Sequence, residues 1–478
     1  MWCYPSFSLP IPLNVGAGHK MDDTNSSLSY DLIVIGGGVV GLACLRAATL
    51  KGWKCALVEA EPDLLSHASG GNSGIVCTGV DAASGTLERA LIRDSISEFR
   101  SYCSDHKIPI RPCGSLVCLF PWDIASGNDG GSESSENHVT LLDHVLQESH
   151  IAGDCDAKLY TSGQDILQEK EKNISSSLLG AVHIPGEVVV DSWVYSISLA
   201  ADALENGAEI YTNFRVSQIS REDKDGELLW TIGRDDDEKI ESNIPLRLQS
   251  KAVVNATGNW SDSLEKSVHG TVAWISKPRR GQYRVYKSDE RTQIQHPIQP
   301  FPSQRTKGIF VFSTIHNHLV VGPTALDQSS KTDRSIDPHV AQQLDDHIRR
   351  VIPEIDTEAS HIGDYVGIRP GTDHRDYQIH LNPQNKWIAV AGIRSTGLTA
   401  SLGIGNYVNR LLSVVLEDPC AIAKSKIRTI QMPTFEHMAE DYGNHGDGRC
   451  EINGRRFRVT HPLTKFGMES FAQTSNAI

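Results

Sequence analysis

Long apolar runs are missing from this 478-residue chain. About 20 consecutive apolar residues are needed for a helix to span a bilayer, so no integral membrane segment is expected. A basic surplus is missing too. The 45 Lys and Arg stand against 59 Asp and Glu, a formal net charge of −14, which disfavours nucleic acid or an anionic membrane as the partner. The ten Cys show no C-x-x-C pair, no disulfide-framework spacing and no iron–sulfur spacing, and Cys420 and Cys450 stand alone near the C-terminus. Cys44 and Cys55 read as small core residues of a reducing compartment, so the chain is expected to be intracellular, in cytoplasm or mitochondrion. No metal site is expected. The Asn-x-Ser patterns at Asn25, Asn173 and Asn259 are then chance matches. Residues 1–29 lack both a signal-peptide pattern and the arginines of a transit peptide, and disorder is expected there.

What the sequence does contain begins at Tyr30. YDLIVI is a continuous apolar run of the kind buried on both faces of a parallel sheet. It leads into GGGVVG and then into a segment with helical spacing to about Gly52. In a strand, G-x-G-x-x-G, helix unit, Gly36 permits the tight turn, Gly38 lets backbone approach a pyrophosphate, and Gly41 lets helix and strand pack closely. The helix N-terminus then faces an anion. A second strand, KCALVEAE, ends at Glu59, where an acid can hold a ribose hydroxyl and argues against a 2′-phosphate. These residues point to a dinucleotide and leave NAD and FAD open.

A length of 478 residues implies two domains. Asp123 to His138 is a low-complexity insertion expected to be a mobile surface loop. A helix is expected from about Ser192 to Asn206, then a strand through Ile210, an exposed meander around Trp230, and a strand KAVVNATG. Val268 to Pro323 is rich in aromatic and β-branched residues with breakers, which fits an antiparallel sheet. Ile336 to Val351 has helical spacing. WIAVAGI followed by RSTGLTASLGIGNYVNRLL gives a last strand, a glycine turn and a helix, so the nucleotide unit is discontinuous.

The order of GGGVVG, Glu59, the NSG loop at Asn72 to Gly74, VVNATGNWSD and AGIRSTGL resembles the FAD-dependent oxidoreductases of the D-amino-acid oxidase superfamily, over most of residues 30 to 415. KPRRGQY, TKG, LVVGPTALD, VGIRPG and AGIRSTGLTAS resemble the FAD-linked glycerol-3-phosphate dehydrogenases more than the L-2-hydroxyglutarate dehydrogenases. The resemblance implies an α/β fold: a discontinuous Rossmann-like FAD-binding domain (30–115, 180–267 and 355–415), a mostly antiparallel β substrate domain (116–179 and 268–354), and a C-terminal tail (416–478).

It also implies FAD as cofactor, held by Gly36, Gly38, Gly41, Glu59, Ser69, Asn72, Ser73, Gly74, Val216, Ala256, Gly258, Gly392, Gly397 and Leu398. Ser73 and Gly74 would approach the isoalloxazine, while Ser69 and Asn72 reach the phosphates. The implied activity is oxidation of a small anionic 2-hydroxy compound, of glycerol-3-phosphate type, by hydride transfer to flavin. An L-2-hydroxyglutarate-type acid, an amine or amino acid, and a catalytically silent flavin-binding interaction module are the alternatives. For an anion clamp the candidates are Arg369 and then Arg394, because a guanidinium fork matches carboxylate or phosphate oxygens, with Lys307 and Arg280 to complete a phosphate site. Relatives often carry a His where this chain has Cys77, so the proton acceptor is open among Cys77 and His296, His316, His318, His361, His374 and His380. The electron acceptor stays open among quinone, a partner flavoprotein and oxygen.

Overall fold

Apolar side chains at successive strand positions can all be buried only if both faces of the sheet are covered. The strand Leu28–Ile35 meets that condition. Its Leu32 and Val34 pack with the helices Val39–Lys51, Ser192–Glu205 and Gly397–Val415, while Tyr30, Ile33 and Ile35 pack with Ala56, Val58, Trp230 and Trp387 on the other face. The structure is a computed structural model that describes residues 28–125, 138–224, 227–235, 244–301, 308–419 and 427–475. Leu28 and Ser29 therefore belong to the sheet rather than to the expected extension, and residues 1–27 lie outside the described residues. Most of the expected surface loop, residues 126–137, also lies outside them.

The first sheet runs in the order Val216–Lys224, Glu227–Arg234, Arg247–Asn255, Leu28–Ile35, Cys55–Val58, Glu209–Tyr211. Its central pairs are parallel, and the meander strands Val216–Lys224 and Glu227–Arg234 are antiparallel. One edge of Arg247–Asn255 is shared: Ser250 faces Trp230 of the meander, and Val253 to Asn255 face Trp387 to Ala389 of the strand Trp387–Ala391. The helix Ser192–Glu205 starts where Asp191 accepts the Val194 amide and stops ahead of Gly207 at φ 96°, as the sequence predicts.

The second sheet is antiparallel except where Ile298–Pro300 runs parallel to Ser115–Leu119. Its longest pair joins Ser276–Lys287 to His361–Thr372. Two of its strands, Gly180–Ile184 and His361–Thr372, fall in stretches that the sequence reading assigned to the nucleotide unit. Their partners lie far away in sequence, and local pattern carries no such information. The helix expected near Ile336 begins at Pro338, with Asp337 as its N-cap.

The expected C-terminal tail is folded along most of its length. Thr434 caps a helix, Phe435–His445; the hairpin Arg449–Ile452 and Arg455–Arg458 follows; and Pro462–Ser475 forms a last helix. Cys450, Phe457, Val459 and Met468 enter the same core as the first sheet's helices. No helix among the described residues is long and apolar enough to cross a membrane.

Candidate active site

The glycine turn after the first strand is fixed by sterics. A Cβ on Gly41 would lie 1.9 Å from the Gly36 carbonyl oxygen, and one on Gly36, whose φ is 114°, would lie 2.5 Å from the Ala256 oxygen. No other residue fits at either position. Gly38 is the N-cap of the helix Val39–Lys51, and the nearest atom to a Cβ there is the Ser69 hydroxyl. Ser69 Oγ accepts from the Val39 amide at 3.0 Å. The turn, that helix end and Ser69 thus form one wall of a cavity of about 1600 Å³.

Glu59 lies on the same wall. It is buried and accepts from the Gly37 amide at 2.6 Å and the Glu61 amide at 2.9 Å. Burial raises its carboxyl above the ordinary range, against the lowering effect of those two amides. Glu59 therefore pins the glycine turn, a role the spacing alone did not reveal.

The Asn72–Gly74 loop is built from its own side chains. Asn72 Oδ1 accepts from the Gly74 amide at 2.9 Å and from the Ser192 hydroxyl, and Asn72 Nδ2 donates to the Ser69 carbonyl at 3.0 Å. Asn72, Ser73, Ile75 and Cys77 face the cavity. Gly74 does not: at φ 72° its missing Cβ points at the Val190 carbonyl oxygen, 2.5 Å away, so it lets two backbones meet. Cys77 sits against Thr399, with its amide 3.3 Å and its sulfur 3.7 Å from the Thr399 hydroxyl. Val216, Ala256, Gly258, Gly392, Gly397 and Leu398 also line the cavity, whereas Gly41 acts from behind it.

Another part of the cavity lining gathers three cations and one carboxylate: Lys277, Arg369, and Arg279 in an ion pair with Asp327 at 2.6 Å. Arg369 stands directly across from Arg279 on the paired strands, and Lys277 lies two residues before Arg279. All three line the cavity. Arg369 donates to the Thr324 carbonyl, its Nε has no hydrogen-bond partner, and no carboxylate among the described residues forms a salt bridge with it. Desolvation lowers its pKa, with Tyr283 and Asp327 opposing. Tyr283, itself on the cavity wall, stacks on Tyr365 at 4.3 Å.

The other proposed cations differ. Arg394, at φ 50°, is ion-paired through Nη2 with the buried Glu88, which also accepts from Thr396 at 2.7 Å. Its charge is balanced by a carboxylate from the helix Leu87–Asp105. Arg280 points away from the cavity to Asp333 and Ser335, because neighbouring strand residues alternate faces. The same alternation in KPRRGQY, read at period two, would have singled out Lys277 and Arg279. Lys307 lies outside the described residues.

Of the six histidines considered as bases, only His374 lines the cavity, and its Nε2 lies 3.1 Å from the Ala273 carbonyl oxygen. His296 pairs with Glu171, His316 with Asp191 and His361 with Asp364, while His318 contacts Ser470 and His380 contacts Gln378. Sequence reasoning missed His67 and His144, which do line the cavity. Neither sits in a motif.

A glycine turn against a helix N-terminus and a pinned acid, on the wall of a cavity of this size, define a dinucleotide-binding protein. The FAD dependent oxidoreductase (DAO) family matches residues 31–411, and this chain belongs to it. It is similar to the glycerol 3-phosphate dehydrogenase of Caloramator mitchellensis, at 26% identity over 87% of this chain and 80% of that one. The mitochondrial L-2-hydroxyglutarate dehydrogenase of Bos taurus is 26% identical over 63% of this chain and 62% of its own length. Among solved structures, the L-alpha-glycerophosphate oxidase of Mycoplasma pneumoniae with FAD bound superposes with a TM-score of 0.69 at 23% identity, covering 80% of this chain and 95% of that one.

FAD is thus the cofactor, and the protein is an FAD-dependent oxidoreductase. The cavity fits the group: a Cβ at Gly258 would meet only Pro370, at 3.9 Å, and the turn at Gly36 to Gly38 leaves backbone where a pyrophosphate can approach.

Proposed function

We propose that this enzyme oxidises a small anionic hydroxy compound of the glycerol 3-phosphate type. The observation that carries the reading is Arg369, a desolvated guanidinium on the cavity wall beside Lys277 and Arg279 and without a carboxylate partner among the described residues. A fork of N–H donors held in place by Thr324 matches phosphate or carboxylate oxygens, and it gains strength from the low dielectric around it. The Caloramator relative is named for the same substrate.

In this reading the Gly36–Gly38 turn, the amide-rich start of the helix Val39–Lys51 and Ser69 would hold the pyrophosphate, and Glu59 would meet the ribose. Ser73, in the loop that Asn72 organises, would stand beside the isoalloxazine. Bound FAD supplies the two-electron acceptor. Arg369 orients the substrate anion, and the stacked Tyr283 and Tyr365 keep that wall dry. His374 and Cys77 are the candidates for holding the hydroxyl proton. The electron acceptor is a quinone, a flavoprotein or oxygen, and the compartment is cytoplasm or mitochondrion.

Anaerobic bleaching of the purified yellow protein tests the proposal with glycerol 3-phosphate, 2-hydroxyglutarate, glycine, sarcosine and D-amino acids. Bleaching by glycerol 3-phosphate is expected. Bleaching by 2-hydroxyglutarate alone would favour the second reading, a hydroxy dicarboxylate on the same cations, for which the bovine similarity speaks. Bleaching by an amine alone, or by none of them, would overturn both.

A further inference from the structure

The family match ends at residue 411, yet the chain continues into the folded segment Phe435–Ser475. That segment returns to the loop that borders the flavin. The small residues of the loop are enclosed on two sides. A Cβ on Gly71 would meet Gly367 Cα at 2.7 Å, and one on Gly70 would meet the Leu65 oxygen at 2.4 Å with the Thr460 oxygen behind it at 3.8 Å. Thr460 Oγ1 also donates to the Leu64 carbonyl at 3.3 Å.

Next to it stands His461, which is 1% exposed. Its Nδ1 accepts from the Leu463 amide at 3.2 Å, which leaves the proton on Nε2. Nε2 lies 3.1 Å from the Asn72 carbonyl oxygen and donates to it. The Tyr365 hydroxyl donates to the same oxygen, also at 3.1 Å. Asn72 is thus held at its backbone by two donors, and its side chain sets the Gly74 amide. The segment is tethered in turn: Thr464 donates to the buried Asp191 at 2.9 Å, the N-cap of the helix that also supplies Ser192 to Asn72. Asp63 binds Arg449 and Arg458 at 3.0 and 3.1 Å. Trp193 donates to the Arg458 carbonyl at 2.9 Å.

We propose that Phe435–Ser475 is an intramolecular brace for the flavin loop, with His461 as the positioning residue that fixes Asn72 and thereby Ser73 against the cofactor. His461 does not line the cavity. It acts through a carbonyl, and a neutral imidazole locked in one tautomer is suited to that task because it holds a donor in a dry place without a buried charge.

The proposal rests on FAD occupying the cavity and not on the choice of substrate, so FAD affinity and the visible circular dichroism of bound flavin are the readouts. His461→Phe fills the space without a donor, and His461→Gln restores an N–H. The Phe variant is expected to weaken FAD binding by about 5–10-fold, the effect of one lost buried hydrogen bond, and to alter the flavin dichroism. The Gln variant is expected to recover most of both, with apoprotein melting temperatures of the two variants alike. Tyr365→Phe removes the second donor without altering the segment, and the double variant should lose more than the two single ones together. Should His461→Phe not fold, His461→Leu, which is smaller and also lacks a donor, carries the same test against His461→Gln. Unchanged FAD affinity and dichroism in His461→Phe, or a Gln variant as impaired as Phe, would overturn the brace.

Discussion

At the scale of single residues, charge pairing separates the two arginines that the sequence set side by side. Arg394 has Glu88; Arg369 has a carbonyl and an unpartnered Nε. If Arg369 clamps the substrate anion, Arg369→Ala costs about 2–5 kcal/mol in transition-state binding, the range for removing one member of a buried charge pair. It should leave FAD content near wild type. Steady-state kinetics and flavin absorbance measure both, and normal kcat/KM or lost flavin would show that Arg369 only supports its strand. The residue types needed for this wall were visible in VGIRPG and KPRRGQY. Which of them face inward follows from strand register, so Arg280 was a wrong candidate and Lys277 a missed one.

At the scale of elements, the strand, glycine turn, helix and second strand were legible because each step has a local cause. The apolar run, the positions that exclude a Cβ and the terminal acid all lie within Tyr30 to Glu59. Gly41→Ala tests how strictly the turn is set. With a Cβ only 1.9 Å from the Gly36 oxygen, the helix must move off the strand. Denaturant unfolding of the apoprotein should show a loss near 3 kcal/mol, about the upper end for overpacking, and FAD retention should fall with it. Stability equal to wild type would mean that the helix relaxes cheaply. The folded C-terminal segment was not legible in the same way. His461 and Thr464 gain meaning only from Asn72 and Asp191, hundreds of residues earlier, and nothing within HPLTKFGM marks those partners.

At the scale of the whole molecule, a buried acid stands where the second sheet gives way to a small three-stranded one. Glu187 lies between Gly180–Ile184 of the second sheet and Val188–Val190, which pairs with Ile75–Val76 on one side and Ile110–Arg111 on the other. Gln299 donates to it at 2.7 Å. Burial, reinforced by Asp81, pushes its carboxyl up to about 8 from an ordinary 4.5. Between those values the folded protein binds the proton and the unfolded chain does not, so this contribution to stability is full below about 4.5 and is lost as pH rises through about 8. Glu187→Gln should therefore melt several degrees above wild type at pH 8 and show no such gain at pH 5, as read by thermal denaturation. A gain of equal size at both pH values would place its origin outside this titration. The first sheet has a consequence of another kind. Leu28 sits opposite Leu248, so the founding strand waits for its main neighbour until more than half of the chain has been made. At ribosomal speeds of roughly 5–20 residues per second, that leaves a bare strand edge for on the order of 10 s or longer. During synthesis, the step most exposed to misassociation is the birth of the cofactor's own platform, and a holding chaperone on the nascent chain would find its target there.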